Sequence, residues 1–138
     1  PGERRLQILQ TLAGMLETPK GEKITTAALA AQLACSEAAL YRHFASKAQM
    51  YDALIEFIEQ SLFSVVNQIT STESQGLRQV EAIIALLLRF AQKNRGMTRV
   101  LIGDALVNEN ERLQTRINTL LDRIEAALKQ ALRIAATQ

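Results

Sequence analysis

Residues 24–47 read ITTAALAAQLACSEAALYRHFASK, and this stretch decides the fold. Two short segments with helical apolar spacing flank the turn Ala34-Cys35-Ser36. Thr25 or Thr26 is placed to cap the first segment, which reaches Leu33, and Ser36 to cap the second, residues 37–44. A hydroxyl at a cap accepts from the free backbone N–H groups of the first turn. Leu29, Leu33, Leu40 and Phe44 supply inward anchors, and Ala30, Ala38 and Ala39 are small enough for close approach. One helix that braces and a second thin enough for a groove roughly 12 Å wide make a helix-turn-helix that reads duplex DNA.

Outward from that stretch the chain reads as helix nearly throughout. Prolines occur only at Pro1 and Pro19, and no segment alternates like a strand. Leu6, Leu9, Leu12, Ala13 and Leu16 give a first helix over residues 3–17, closed by the breaker Thr18-Pro19-Lys20-Gly21. With it the head has three helices, and its domain covers residues 1–46. Ser46-Lys47-Ala48-Gln49 is a capping box opening a long helix to about residue 70. Its stripe is Met50, Leu54, Ile58, Leu62, Val65 and Ile69; Phe63 lies off the stripe and implies contacts on a second side. After a polar linker at 70–76, residues 77–94 are apolar nearly all round in their middle and predict a central buried helix, with Gly96 placed to end it. A short helix at 98–106 and a capping box at Asn108 and Glu111 lead into the last helix. There Leu113, Ile117, Leu120, Ile124, Ala127, Ala131 and Ile134 recur at four-three spacing. Packing within its own domain is favoured over an intermolecular seam. The expectation is an all-α chain, a helix-turn-helix head on a helical body at 47–138.

Composition excludes more than it assigns. The 138 residues are 48% hydrophobic and carry a formal net charge of +2, too slight a basic excess to identify a nucleic-acid binder. One cysteine, Cys35, and one histidine, His43, make neither a disulfide framework nor a metal site, and the six glycines form no phosphate-cradling loop. No nucleophile is paired with a base, so no enzyme and no cofactor are expected. The apolar run from Ala82 to Leu88 is far shorter than the roughly 18 residues of a membrane span, and no signal peptide is evident. A soluble cytoplasmic protein is expected.

The polar residues of the head cluster where phosphates would lie: Thr25, Thr26, Ser36, Tyr41, Arg42, His43 and Lys47. Glu37 and Ala38 open the second short helix and would face base edges, Glu37 as an acceptor for a cytosine amino group. Lys47 sits in the first turn of the long helix, where the helix dipole disfavours a cation. A docked phosphate would reverse that penalty and also engage the free N–H groups.

Residues 36–47, SEAALYRHFASK, resemble the signature of the TetR family of regulators, which pairs Tyr-x-His-Phe with a lysine three residues on. ITTAALAA, LIEFIEQSL and LLLRFAQKNRGMTR further resemble the nucleoid-occlusion branch of that family, and the similarity runs from about Leu6 to Leu132. The resemblance implies a homodimer on a palindromic chromosomal site that also binds the C-terminal tail of the division protein FtsZ. It places the tail in a groove between the fourth and fifth helices, with Phe57, Leu86, Arg89, Phe90, Lys93, Asn94 and Arg95 on its walls. Residues 76–138 hold ten Lys/Arg against six Asp/Glu, which suits a mixed apolar and acidic tail. The broader family implies an alternative, a repressor answering to a small effector in an enclosed pocket. Three departures stand out. Ala34 occupies a turn position that often holds glycine, so strain is expected there. The basic N-terminal arm is reduced to Arg4 and Arg5, and the two C-terminal dimerisation helices usual in the family are expected to be missing.

Overall fold

The computed structural model describes residues 2–18 and 23–138. Most of the predicted breaker lies outside them. Among the described residues every regular element is helical: α1 (Gly2–Leu16), α2 (Thr26–Gln32), α3 (Glu37–Tyr41), α4 (Lys47–Thr72), α5 (Gly76–Lys93), α6 (Arg95–Leu101), a 3-10 turn (Asp104–Leu106) and α7 (Glu111–Ala136).

The start signals read at Thr25, Ser36 and Ser46 are used. Thr25, Ser36 and Ser46 have extended backbones, and their hydroxyls accept from the N–H groups of Ala28, Ala39 and Gln49. The box at Ser46 is modified: the Gln49 side chain accepts from the N–H of Ala45 at 3.1 Å, one residue before the cap. The last helix is capped by Asn110, which accepts from Arg112, and not by Asn108. Asn108 instead stands at φ +66, a conformation asparagine tolerates better than most residues.

One apolar core runs through head and body. Ile8, Leu12 and Leu16 of α1, Leu29 of α2 and Leu40 of α3 join Met50, Leu54, Ile58 and Leu62 of α4. The same cluster continues into Ile83 of α5, Val100 of α6 and Leu113, Ile117, Leu120 and Ile124 of α7. On α1, Ile8 takes the buried place expected of Leu6, which is exposed. Phe63 is buried on the second side of α4, with the Arg123 guanidinium of α7 stacked 3.9 Å from its ring centroid. The α7 seam packs within the chain, chiefly on α5 and then on α4. Arg116 pairs with Asp52 and Glu59, and Arg123 with Glu59, along the α4–α7 edge.

Two expectations about the body fail. The first is the central buried helix. Only Gly76, Gln79, Ile83 and Phe90 of α5 are buried, while Leu77 and Leu88 are 64% and 62% exposed and Ile84 is exposed beside them. These three recur at seven and four residues and so share one side of α5. Gly76 lies against Ala131 and Ala135, so α5 begins where α7 ends and the pair runs antiparallel. On α7, Leu121 and Leu132 are exposed next to the seam. The apolar content of α5 thus divides between a core face and an open face.

The second is the end of α5. Asn94 ends it, with φ −131 and ψ 65, and α6 begins at the next residue. Gly96 lies inside α6 and serves a close approach: a Cβ there would sit 1.9 Å from the Ala13 carbonyl oxygen of α1. Arg99 fastens the same contact, donating to the Leu16 carbonyl at 2.9 Å and pairing with Asp104 at 2.7 Å.

Candidate nucleic-acid interface

The shape of α3 follows from its length. Leu40 is its one buried residue, so the five-residue helix hangs on a single anchor and turns Glu37, Ala38 and Tyr41 outward, followed by exposed Arg42. His43 is half-buried, and its N–H and that of Phe44 both bond to the Leu40 carbonyl, which carries the chain round to α4. Arg5 of α1, one of the two cations of the reduced N-terminal arm, lies 4.8 Å from the Phe44 ring centroid and so beside this corner.

A polar bridge fixes α3 against α2. Thr26 donates from its hydroxyl to Glu37 at 2.8 Å, and Tyr41 donates to the Thr26 oxygen at 3.3 Å. One hydroxyl can donate once and still accept, so the three groups are mutually satisfied. The carboxylate of Glu37 is therefore oriented before any ligand arrives. Thr25 uses its oxygen as the α2 cap, and Ser36 its own as the α3 cap; both are exposed. The turn between them contains the expected strain: Ala34 stands at φ +52. Its neighbour Cys35 bonds through its N–H to the Ala30 carbonyl and packs partly on the core.

Lys47 has a partner that no local pattern signalled. Its ammonium is 2.8 Å from a carboxylate oxygen of Glu109, in the loop before α7, and 5.9 Å from the Tyr51 ring centroid. The Glu109 side chain is only 6% exposed and that of Lys47 20%. Burial pushes the Tyr51 phenol far above its usual range; the charge of Glu109 adds to the shift and Arg99 opposes it. Lys23, just before α2, donates to the Asn108 carbonyl at 2.8 Å. The loop at 107–110 is thus held from two places, by Lys23 of the head and by Lys47 at the start of α4.

The seven residues expected on a groove between α4 and α5 do not share one there and separate into three groups. Phe57 and Asn94 share a cleft of about 310 Å³ between α1, α4 and the start of α6, with Leu6, Leu9, Leu54 and Met97 on its walls. Arg89, Lys93 and Arg95 are exposed. Phe90 is buried and lies beneath the surface, while Leu86 is half-buried and packs partly on the core.

The sequence of this chain matches known families. The family described as "Bacterial regulatory proteins, tetR family" matches residues 22–54, and an SlmA-like family described as "Tetracyclin repressor-like, C-terminal domain" matches residues 74–137. Nucleoid occlusion factor SlmA of Alteromonas mediterranea is 56% identical over 130 residues, 94% of this chain and 67% of that protein. The protein of the same name from Marinomonas sp. strain MWYL1 is 56% identical over 133 residues, 96% of this chain and 68% of its own length. That from Shewanella sp. strain MR-4 is 57% identical over 130 residues, 94% and 66%.

The chain belongs to the SlmA family. It spans about two thirds of the length of the SlmA relatives it matches. The all-α, TetR-like architecture expected from the sequence is the SlmA architecture found here, with the helix-turn-helix inside the tetR-family match. No helix among the described residues is long and apolar enough to cross a membrane.

Proposed function

We propose that this chain is a sequence-specific DNA-binding nucleoid occlusion factor, acting as a homodimer that binds FtsZ and restrains division-ring assembly over the chromosome. The observation that carries the reading is the outward face of α3, with Glu37, Ala38 and Tyr41 presented together and Arg42 following, in a member of the SlmA family. Ala38 gives the backbone room to approach base edges, and Glu37 is pre-oriented to accept from cytosine. Thr25, Thr26, Ser36, Tyr41, Arg42, His43 and Lys47 would contact phosphate or sugar, contacts that set register while base contacts set sequence. The division into a head at 1–46 and a body at 47–138 is kept in this reading, because α4 opens at Lys47 and carries the chain from one to the other.

The FtsZ tail would lie at the cleft holding Phe57 and Asn94, where α1 of the head meets α4 and α6 of the body, with exposed Arg89, Lys93 and Arg95 as basic groups for an apolar and acidic segment. Leu86 and Phe90 would back that surface from the core. The alternative, a repressor answering to a small effector, draws on the same cleft. At about 310 Å³ it stands at the lower limit of ligand pockets.

The test is selection from a random duplex pool, with FtsZ tail peptide then titrated onto the selected complex. A palindrome with half-sites one helical turn apart and saturable peptide binding are expected. A palindrome without peptide binding would leave a repressor, and no enriched sequence would remove the DNA reading. Tyr41→Ala is expected to weaken binding to all duplexes about equally and to flatten the salt dependence.

A further inference from the structure

The pair between Lys47 and Glu109 has a consequence for DNA affinity. Lys47 stands in the first turn of α4, where a phosphate would be drawn both to its charge and to the free N–H groups of the helix. In the free protein that ammonium already faces a carboxylate at 2.8 Å. A phosphate on the same ammonium would bring two anions within a few ångströms of one another around a single cation. In the free protein Glu109 is held against that ammonium with its side chain almost wholly enclosed, so it leaves Lys47 only when its loop moves. The loop that carries it is restrained as well: Asn108 is in the left-handed region, and its carbonyl is bound by Lys23 of the head. The carboxylate is therefore a standing competitor for Lys47, supplied by the loop before α7 to the start of α4.

We propose that Glu109 is a latch that occupies Lys47 in the free protein and gives way to a backbone phosphate on DNA binding, so that the loop at 107–110 sets the affinity of the head. This rests on the DNA-binding reading above. The latch lowers affinity by withholding one cation from the duplex, and DNA binding in turn loosens the loop from α4. Any ligand or partner that draws the loop away from the head would then strengthen DNA binding, and by linkage DNA would strengthen that partner equally.

Glu109→Gln removes the charge and keeps the shape. It is expected to raise affinity for the selected duplex about 3- to 10-fold at low salt and to steepen the log-log salt slope by about 0.9, one further phosphate contact. Asp104→Asn removes a charge from the same segment without touching Lys47, since Asp104 pairs with Arg99. It controls for the general field and is expected to change affinity less than about twofold at the same salt, because it releases no phosphate contact. Glu109→Asp keeps the charge but draws the carboxylate back by one methylene, and should move affinity the same way as Glu109→Gln by less. It serves where the glutamine variant folds poorly by circular dichroism. Equal effects of Glu109→Gln and Asp104→Asn, or a fall in affinity in folded Glu109 variants, would overturn the latch and leave the DNA reading standing. A wild-type chain that binds no duplex would overturn both. Acylation of Lys47 followed by mass spectrometry gives a readout without DNA: the latch requires faster modification in Glu109→Gln than in wild type, and equal rates would count against it.

Discussion

The α2–α3 pair and the α5–α7 pair solve the same packing problem from opposite ends. In the head, helices of seven and five residues contribute Leu29, Ala30 and Leu40 to the core and take the rest of their order from caps, small residues and the Thr26–Glu37–Tyr41 bridge. In the body, helices of 18 and 26 residues meet along a seam of large side chains and close to backbone contact at Gly76. Helices as short as those in the head are unstable alone, so their fold is sustained by α1 and α4 beneath them. That arrangement leaves nearly every polar side chain of α2 and α3 on the surface, where a ligand can use it. The body has the reverse character: it is stable through contact, and its function has to be fitted around its core.

The comparison can be broken most sharply at Gly76. Its added Cβ would lie 2.2 Å from the Ala131 carbonyl oxygen and 2.4 Å from the Ala135 nitrogen, both backbone atoms that cannot swing aside. Gly76→Val is expected to cost about 3 kcal/mol in urea unfolding by forcing α5 off α7. Caps test the other side. Ser36→Ala and Ser46→Ala each remove one bond to a helix N-terminus, at a cost of about 1 kcal/mol. The five-residue α3 should lose its hydrogen-exchange protection with Ser36→Ala, whereas the 26-residue α4 should only fray with Ser46→Ala. Equal protection in the two variants would mean that α3 is held by packing alone.

Ala34→Gly should sharpen the comparison in the stabilising direction. Relief of a left-handed alanine, less the added freedom of glycine in the unfolded chain, leaves a gain of about 0.5 kcal/mol, visible as a rise in Tm. The smallest effect at neutral pH is expected at Tyr51. Its phenol is held neutral by burial when folded, while the unfolded chain ionises near pH 10. Protons are then held more tightly by the folded state, so stability should fall as pH rises above 10. Tyr51→Phe should flatten that alkaline decline, and an unchanged profile would show that Tyr51 ionises freely in the folded protein.

What could be read from the chain follows the range of the interactions. The head was legible because its signals are local: Thr25, Ser36 and Ser46 cap the helices they precede, and the strain at Ala34 follows from its place in the turn. Leu113, Ile117, Leu120 and Ile124 identified the buried face of α7 because polar residues separate them. α5 was misread because Leu77, Ile84 and Leu88 are as apolar as the core residues, so composition could not say which face lay inward. Gly96 was taken for a helix end because a glycine serving close approach to Ala13 looks the same in sequence as one serving a turn. The exposed placing of Tyr41 and Arg42 follows from their motif, but the pairing of Glu109 with Lys47 does not, because 62 residues separate the two.

The open apolar side of the body also governs how the protein behaves in a cuvette. Leu77, Ile84, Leu88, Leu121 and Leu132 give amphiphilic dyes a place to bind on a chain whose core is intact. Anilinonaphthalene sulfonate fluorescence, ordinarily taken as the mark of a loosened interior, would here be bright from native protein and would dim where that side is covered. For this chain the dye therefore measures how much of the α5 and α7 surface is exposed, and near-ultraviolet circular dichroism has to supply the evidence of unfolding.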